Sequence, residues 1–235
     1  MTADTHQTAP TQFVEANGMR FAYRRFGKAG GVPIVFNQHY LGTMDYWDPA
    51  VTDGLARDRE VILFNNAGVS SSCGEVPTTR EEMGANAVEF IRALGTGPRG
   101  GEGMASQTPE AQRIFGAAYD PPEHLWLAVL FGPSQKAQAA GLEFLKRKHL
   151  RQVDRDPEVN ERVGPRQREA IAKWGVQREG PYDYLKTIKQ AALVVNGNKG
   201  LIVYTINSFI LQQNLPNAQL IILSRLQPWS DVSVS

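Results

Sequence analysis

Pro33-Ile34-Val35-Phe36-Asn37 and Val61-Ile62-Leu63-Phe64-Asn65 are two short apolar runs without alternation. A strand with one wet face alternates apolar and polar residues, because successive side chains point to opposite sides. An unbroken run of this length suits a strand buried on both faces of a parallel sheet. Between the runs, Asp45 is placed to cap a helix from about Tyr46 to Ala56, which makes a strand-helix-strand unit. Upstream, Phe13-Val14 and Met19 to Phe26 flank Asn17-Gly18, a pair that supplies the positive φ angles of a tight hairpin turn. Downstream, Thr78 and Glu81 have capping-box spacing. Met83, Ala87, Phe90, Ile91 and Leu94 then share one face of a helix that Gly95 ends.

A doubly wound sheet needs another buried strand after that helix. The chain instead reads Thr96-Gly97-Pro98-Arg99-Gly100-Gly101-Glu102-Gly103, a loop composition with no apolar run. From Pro109 to Gln190 the pattern is polar and helical, broken by Pro121-Pro122, Pro133, Pro157, Pro165 and Pro181, as in a cap built of short helices over about 105–190. Within it, His124 to Phe131 fits a buried helix or a strand equally. The α/β rhythm returns with a strand at Ala192 to Asn196, a helix from about Tyr204 to Gln213 and a last strand near Ala218 to Leu223. The expected fold class is therefore α/β: an incomplete, doubly wound, mostly parallel sheet with an N-terminal β-hairpin and a helical cap insert. A single domain spans 11–223, between a disordered segment 1–10 and an irregular tail 224–235.

Composition narrows the function classes. The 235 residues are 42% hydrophobic and 21% charged, enough for one sizeable core. Lys and Arg total 25 against 24 Asp and Glu, a net charge of +1 that offers no field to hold nucleic acid or an anionic membrane. Cys73 is the single cysteine, no apolar run approaches the roughly 18 residues of a membrane span, and the opening residues lack a signal-peptide run. A cytoplasmic protein is expected, with no cofactor and no metal.

The order of hairpin, strand, loop, helix, strand, loop, helix, helical insert and late strand resembles the α/β-hydrolases. Gln38-His39-Tyr40-Leu41-Gly42-Thr43 sits where that family has its oxyanion loop, and Asn65-Asn66-Ala67-Gly68-Val69-Ser70-Ser71-Ser72 matches the loop after its fourth strand. The resemblance covers residues 11–95 and 96–222 in two pieces. It implies hydrolysis of an ester or lactone by a serine nucleophile, with one oxyanion N–H from the Gln38 to Tyr40 loop, that of Tyr40, and a pocket lined by Gln38, His39, Tyr40 and Leu41. The family's nucleophile elbow, G-x-S-x-G on a sharp strand-to-helix turn, should follow Gly95. Here Thr96-Gly97-Pro98-Arg99 follows directly and resembles the exit of the sixth strand, so the fifth strand, the elbow, its helix and the sixth strand are skipped as one block. Gly200 stands where the family places the triad acid, and no histidine occurs after His149. A hydrolase-like protein without an identifiable triad is expected, with Ser70 and His39 as the remaining candidates for chemistry.

Gly68-Val69-Ser70-Ser71-Ser72 follows the wrong strand and has Ser72 where the second glycine belongs, so it reads as a turn. His6, His124 and His149 lack metal-ligand spacing and read as structural or solvated, and Cys73 reads as an inert thiol. A short-chain dehydrogenase is matched in fragments by Thr96-Gly97 with Gly101 and Gly103, by Asn65 to Gly68, and by Tyr182 with Lys186. The order defeats it, because the glycine motif must precede Asn-Asn-Ala-Gly and open the first helix. A binding protein is the other alternative, holding a small apolar or acyl ligand near Tyr40, Leu41, Trp126, Phe131 and Trp174. Loss of two central strands leaves the third strand and the late strand without their usual partners. They must pair directly or with another chain, which predicts a marginal fold and a homodimer through an unpaired strand edge.

Overall fold

The computed structural model describes residues 4–94, 113–114, 117–175, 182–198, 200 and 203–223. In chain order the elements are β1 (Gln12–Ala16), β2 (Met19–Gly27), β3 (Ile34–Phe36), α1 (Pro49–Ala56), β4 (Glu60–Phe64), α2 (Arg80–Ala93), α3 (Leu125–Leu130), α4 (Gln135–Lys148), α5 (Val163–Trp174), β5 (Ala192–Gly197), α6 (Thr205–Asn214) and β6 (Ala218–Leu223). They form two compact units, 1–100 with 146–174, and 101–145 with 175–235. The segment expected as one helical cap is thus divided between the units.

In the first unit a sheet of order β1-β2-β4-β3 has β1, β2 and β4 antiparallel and β3 parallel to β4. Asn17 (φ 51°) and Gly18 (φ 72°) make the hairpin turn that the sequence specifies. The apolar run of β4 is explained by cover on both sides. Ile62 and Phe64 join Phe21, Tyr23 and, from α2, Phe90 and Ile91; Val61 and Leu63 join Ala22, Phe26, Phe36 and Met44, with Trp47 and Leu55 packed alongside. Phe64 stacks on Phe90 at 4.2 Å, and Phe36 meets Trp47 edge-on at 4.7 Å. Each fully buried side chain of this size contributes about 1.5–3 kcal/mol. Gly27 (φ 93°) ends β2 where a Cβ would lie 2.5 Å from Arg59 O, so the turn into the β3 segment admits no side chain.

Both helix starts differ from expectation. Asp48, not Asp45, caps α1 by accepting from Ala50 N (2.9 Å), because Asp45 is drawn into the core by Arg24. Thr79, not Thr78, caps α2 by accepting from Glu82 N (3.2 Å). From residue 4 the opening segment, expected to be disordered, is held in place: Ala9 and His6 are buried, and the carbonyls of His6, Gln7 and Ala9 accept from the Arg151 guanidinium at 2.8–3.0 Å.

In the second unit a 3-10 turn at Pro122–His124 leads into α3, so the ambiguous run is helix; Leu127, Phe131, Phe144 and Leu145 form its cluster with α4. Gly141 lies where a Cβ would meet Leu127 Cδ2 at 2.6 Å, which lets the two helices close. β5 and β6 pair in parallel from Ala192↔Ala218 to Gly197↔Leu223, with α6 packed on both. β3 and β5 therefore belong to separate sheets, and the direct pairing expected of them is not formed among the described residues. The stretch 95–112, which contains the missing-strand position, lies outside the described residues, as does the tail 224–235.

Candidate functional site

Ligands of open α/β sheets bind beyond the carboxyl ends of parallel strands, which in the first unit means the loops after β3 and β4. In the loop after β3, Gln38 Nε2 donates to Phe64 O (2.8 Å), tying it to the end of β4. His39 Nδ1 lies 2.9 Å from Tyr40 O, and its ring meets Tyr46 and Trp47 edge-on at 6.0 Å. Burial lowers the His39 pKa against the opposing pull of its Tyr40 hydrogen bond, and the nearby Lys148 charge adds to the lowering. Leu41 takes φ 58°, and its N–H donates to Gln167 Oε1 (2.8 Å), while Arg168 Nη1 donates to the Tyr40 hydroxyl (2.9 Å). α5 thus occupies the donor next to the one expected to face an oxyanion.

The loop after β4 is tied more tightly. Asn65, fully buried, accepts from Met44 N (2.9 Å) through Oδ1 and donates to Asp156 Oδ1 (2.9 Å) through Nδ2. Ser72 Oγ donates to Asn65 O (2.9 Å) and accepts from Ala22 N, and Ser71 Oγ donates to Asp156 Oδ1 (3.0 Å). Ser70, the serine candidate, takes φ 53°, and its hydroxyl donates to Pro157 O at 2.7 Å. A backbone carbonyl orients this hydroxyl but is not a base. Cys73 is exposed.

Behind both loops lies a charge cluster that the sequence did not disclose. Arg24, fully buried on β2, donates to Asp45 Oδ1 (2.6 Å), Thr11 Oγ1 (3.0 Å) and Asp154 O (2.8 Å), and lies 3.9 Å from Asp156. Asp45 Oδ2 in turn accepts from Asp156 N (2.6 Å), and Asp156 Oδ2 from Met44 N (3.1 Å). Arg151 completes the set, 3.9 Å from Asp45. Burial pushes the Asp156 carboxyl up, opposed chiefly by the Arg24 charge. Two buried cations face two buried carboxylates, and the half-exposed Asp154 adds to them. Residues 151–157 act as a strap that joins the N-terminal segment, the β3 loop and the β4 loop. The alternating charges of Arg151-Gln152-Val153-Asp154-Arg155-Asp156 are the only hint of it in sequence.

His6 has a similar role. Its Nδ1 lies 2.9 Å from Thr52 Oγ1 and its N–H donates to Asp53 Oδ1 (2.7 Å); burial above all lowers its pKa to about 4. His124 ends the 3-10 turn before α3, and His149 follows α4. Among the described residues no group of three or more His, Cys, Asp or Glu could hold a metal, and no helix is long and apolar enough to cross a membrane. Phe131 is buried in the α3–α4 cluster with Trp126 packed against it, and Trp174 lies under the Arg80 guanidinium at 4.2 Å. A recess of about 10 Å³, lined by Phe21, Phe64, Asn66 and Met83 among others, is far smaller than the roughly 300–1,000 Å³ of small-molecule sites and includes none of Gln38 to Leu41.

In the second unit Gly200, the residue expected where the family places its acid, has no room for a side chain. A Cβ on Gly200 would overlap Val203 O, and Asn196 Oδ1 would lie 3.3 Å away. Asn196 holds this turn: Nδ2 donates to Val203 O (3.2 Å) and Ser208 Oγ (3.0 Å), and Oδ1 accepts from Gly197 N (2.8 Å). Tyr182, one part of the dehydrogenase pattern, precedes a 3-10 turn at Asp183–Thr187 that contains its partner Lys186, whose Nζ pairs with Asp183 (2.7 Å). Ser224 to Trp229, where a triad histidine would follow the last strand, lie outside the described residues.

No protein-family model and no curated protein matches the chain by sequence. Solved structures do match in shape. An alpha/beta hydrolase fold protein from Chitinophaga pinensis is 30% identical, with 93% of this chain and 90% of that one covered and a TM-score of 0.81. A putative lipase from Acinetobacter baumannii is 13% identical over 97% and 88% of the two chains (TM-score 0.68). The enol-lactonase from Burkholderia xenovorans is 13% identical over 92% of each (TM-score 0.62), and these last two speak for the fold alone.

Proposed function

The chain belongs to the α/β-hydrolase fold family, and from that membership we propose that in this form it is a non-hydrolysing member whose working relatives cleave esters or lactones. Serine-dependent acyl cleavage needs a hydroxyl facing a base, a base oriented by an acid, and backbone donors aimed at the developing oxyanion. The observation that carries the proposal is Ser70: the serine in the elbow-like turn has its hydroxyl committed to Pro157 O at 2.7 Å. Two further features support it. The acid position is a glycine whose surroundings overlap any Cβ, so substitution by Asp would not restore a triad without moving Val203. The carboxylate bonded to the serine loop, Asp156, is held by Asn65, Ser71 and the Met44 N–H beside Arg24. Such a protein would retain the family's loop frame without its reaction.

The test uses the full chain, checked for native tertiary structure by near-UV circular dichroism, with a fluorophosphonate probe, an aryl ester and a simple lactone. The expected result is a folded protein with no serine labelled and no turnover. Labelling of any serine, abolished by its substitution with alanine together with ester cleavage, would overturn the proposal.

A further inference from the structure

The sequence holds two Asn-Gly pairs, Asn17-Gly18 and Asn196-Gly197. In such a pair the glycine nitrogen stands one ring closure away from the side-chain amide carbon, and the missing Cβ leaves its approach unobstructed. Water, and whatever holds the amide and that nitrogen, decide whether the ring closes. Asn17 and Gly18 form the exposed two-residue turn between β1 and β2, at φ 51° and 72°. The Asn17 amide has one partner among the described residues, Asn86 Oδ1 on α2, at 3.4 Å, beyond the usual range of about 2.7–3.2 Å. Gly18 N makes no hydrogen bond to a described residue, because the ladder closes on its neighbours Ala16 and Met19. A Cβ on Gly18 would meet nothing within 4 Å, so water reaches the nitrogen freely. Asn196 is the opposite case. It is buried, its Nδ2 donates to Val203 O (3.2 Å) and Ser208 Oγ (3.0 Å), and the Gly197 N–H is taken up by its Oδ1 (2.8 Å).

We propose that Asn17 is a site of spontaneous modification, at which the folded chain loses a side-chain amide and becomes a mixture of aspartate and isoaspartate. A solvent base takes the Gly18 N–H proton and the nitrogen bonds to Asn17 Cγ. The Cγ–Nδ2 bond then breaks, and Nδ2 leaves as ammonia with a proton from water. The product is a succinimide ring. Water next adds to one of its two carbonyl carbons, and the proton returns to the Gly18 nitrogen. Breaking the bond from that nitrogen to Cγ leaves aspartate; breaking the bond to the Asn17 main-chain carbon leaves isoaspartate, in which the chain runs through the former side chain. Overall one water is consumed and one ammonia released, with no change of oxidation state. The Asn17 amide, facing solvent, can be protonated as it leaves, whereas Asn196 Nδ2 is held as a donor to two acceptors.

The two products differ in what they do to the fold. Aspartate accepts the left-handed conformation as asparagine does and keeps the two-residue turn. Isoaspartate adds an atom to the main chain of a loop whose length fixes the register of β1 on β2. The misfit falls on Met19 and Arg20, which open β2 and touch the end of the loop after β4. Met19 Sδ lies 2.7 Å from where a Cβ on Gly74 would stand, and Arg20 O accepts from Cys73 N (2.8 Å). Isoaspartate at 17 therefore weakens the Cys73 N–H bond, and aspartate at 17 leaves it intact.

The test incubates the full chain at physiological temperature in neutral and mildly alkaline buffer and maps its peptides by mass at intervals. The peptide containing Asn17 is expected to gain the difference between an amide and an acid, faster at the higher pH because the Gly18 nitrogen must lose its proton, while the peptide containing Asn196 stays unchanged. Enzymatic methylation of isoaspartyl groups should label the Asn17 peptide alone, and Asn17→Gln, whose ring would need one more carbon, should lose the label. An unchanged Asn17 in the folded chain, over a time in which a free peptide of residues 14–21 converts fully, overturns the proposal, and so does conversion of Asn196 ahead of Asn17. Amide hydrogen exchange on the separated products tests the reach of the change. Exchange at Cys73 should be faster in the isoaspartate form and unchanged in Asn17→Asp, which carries the charge without the longer main chain; equal exchange in the two sinks the coupling to the loop.

Discussion

The two sheets are written in the same alphabet and meet opposite fates. β4 (Glu60–Phe64) and β5 (Ala192–Gly197) are both short, rich in β-branched residues and almost free of charge. Yet Val61, Ile62, Leu63 and Phe64 are wholly enclosed, between α2 on one side and the α1 region on the other, while Leu193 and Val195 of β5 are in the open. Apolar sequence therefore states what a strand can tolerate, and its neighbours decide whether the tolerance is used. A strand between two partners and two covered faces becomes core; the same kind of strand without that cover keeps apolar residues at the surface.

The sharpest way to break this contrast is through the charges beneath the first sheet. Arg24→Ala leaves the buried Asp45 with only the more distant Arg151 at 3.9 Å, and removing the close partner of a buried pair should cost about 3–5 kcal/mol in urea unfolding. A cost below about 1 kcal/mol would mean that water already reaches the cluster. Next come two matched truncations: Ile62→Ala should cost about 2–5 kcal/mol through a cavity that the packed sheet cannot close, against a change within about 0.5 kcal/mol for Leu193→Ala. Equal losses would show that the second sheet is covered after all.

A smaller effect follows from His6. Its pKa in the folded chain, about 4, lies below the ordinary 6.5, so the unfolded chain takes up the proton first. The stability held by neutral His6 is complete above pH 6.5 and is lost as the pH falls toward about 4, at no more than about 1.4 kcal/mol per pH unit. His6→Gln should flatten that part of the stability profile, followed by urea midpoints at half-unit steps of pH. An unchanged slope would assign acid sensitivity to other groups.

Local signals were legible and distant pairings were not. The Asn17-Gly18 turn, β3, β4, β5, α6 and β6 stand where hydrophobic period and turn chemistry place them. The caps moved by a few residues because adjacent candidates compete. Thr79 takes α2 from Thr78, and Asp48 is free to cap α1 only because Arg24 claims Asp45. The ordered start of the chain was hidden, since nothing in Thr5-His6-Gln7-Thr8 announces that Arg151 will bind its carbonyls. Of the site, the loops after β3 and β4 were readable from their turn residues, whereas the hold of Asp156 on both loops joins residues too far apart in sequence for any local pattern to show.

The strap at 151–157 also sets a timetable. All four strands of the first sheet have been synthesised once Phe64 leaves the ribosome, but the guanidinium that binds the N-terminal carbonyls and the carboxylate that anchors both loops come about ninety residues later, a lag of roughly five to twenty seconds at ordinary translation speed. During that interval the hairpin and β4 can assemble while the serine loop remains open. The nascent chain therefore depends, for the order of its most tightly held loops, on residues the ribosome has yet to add.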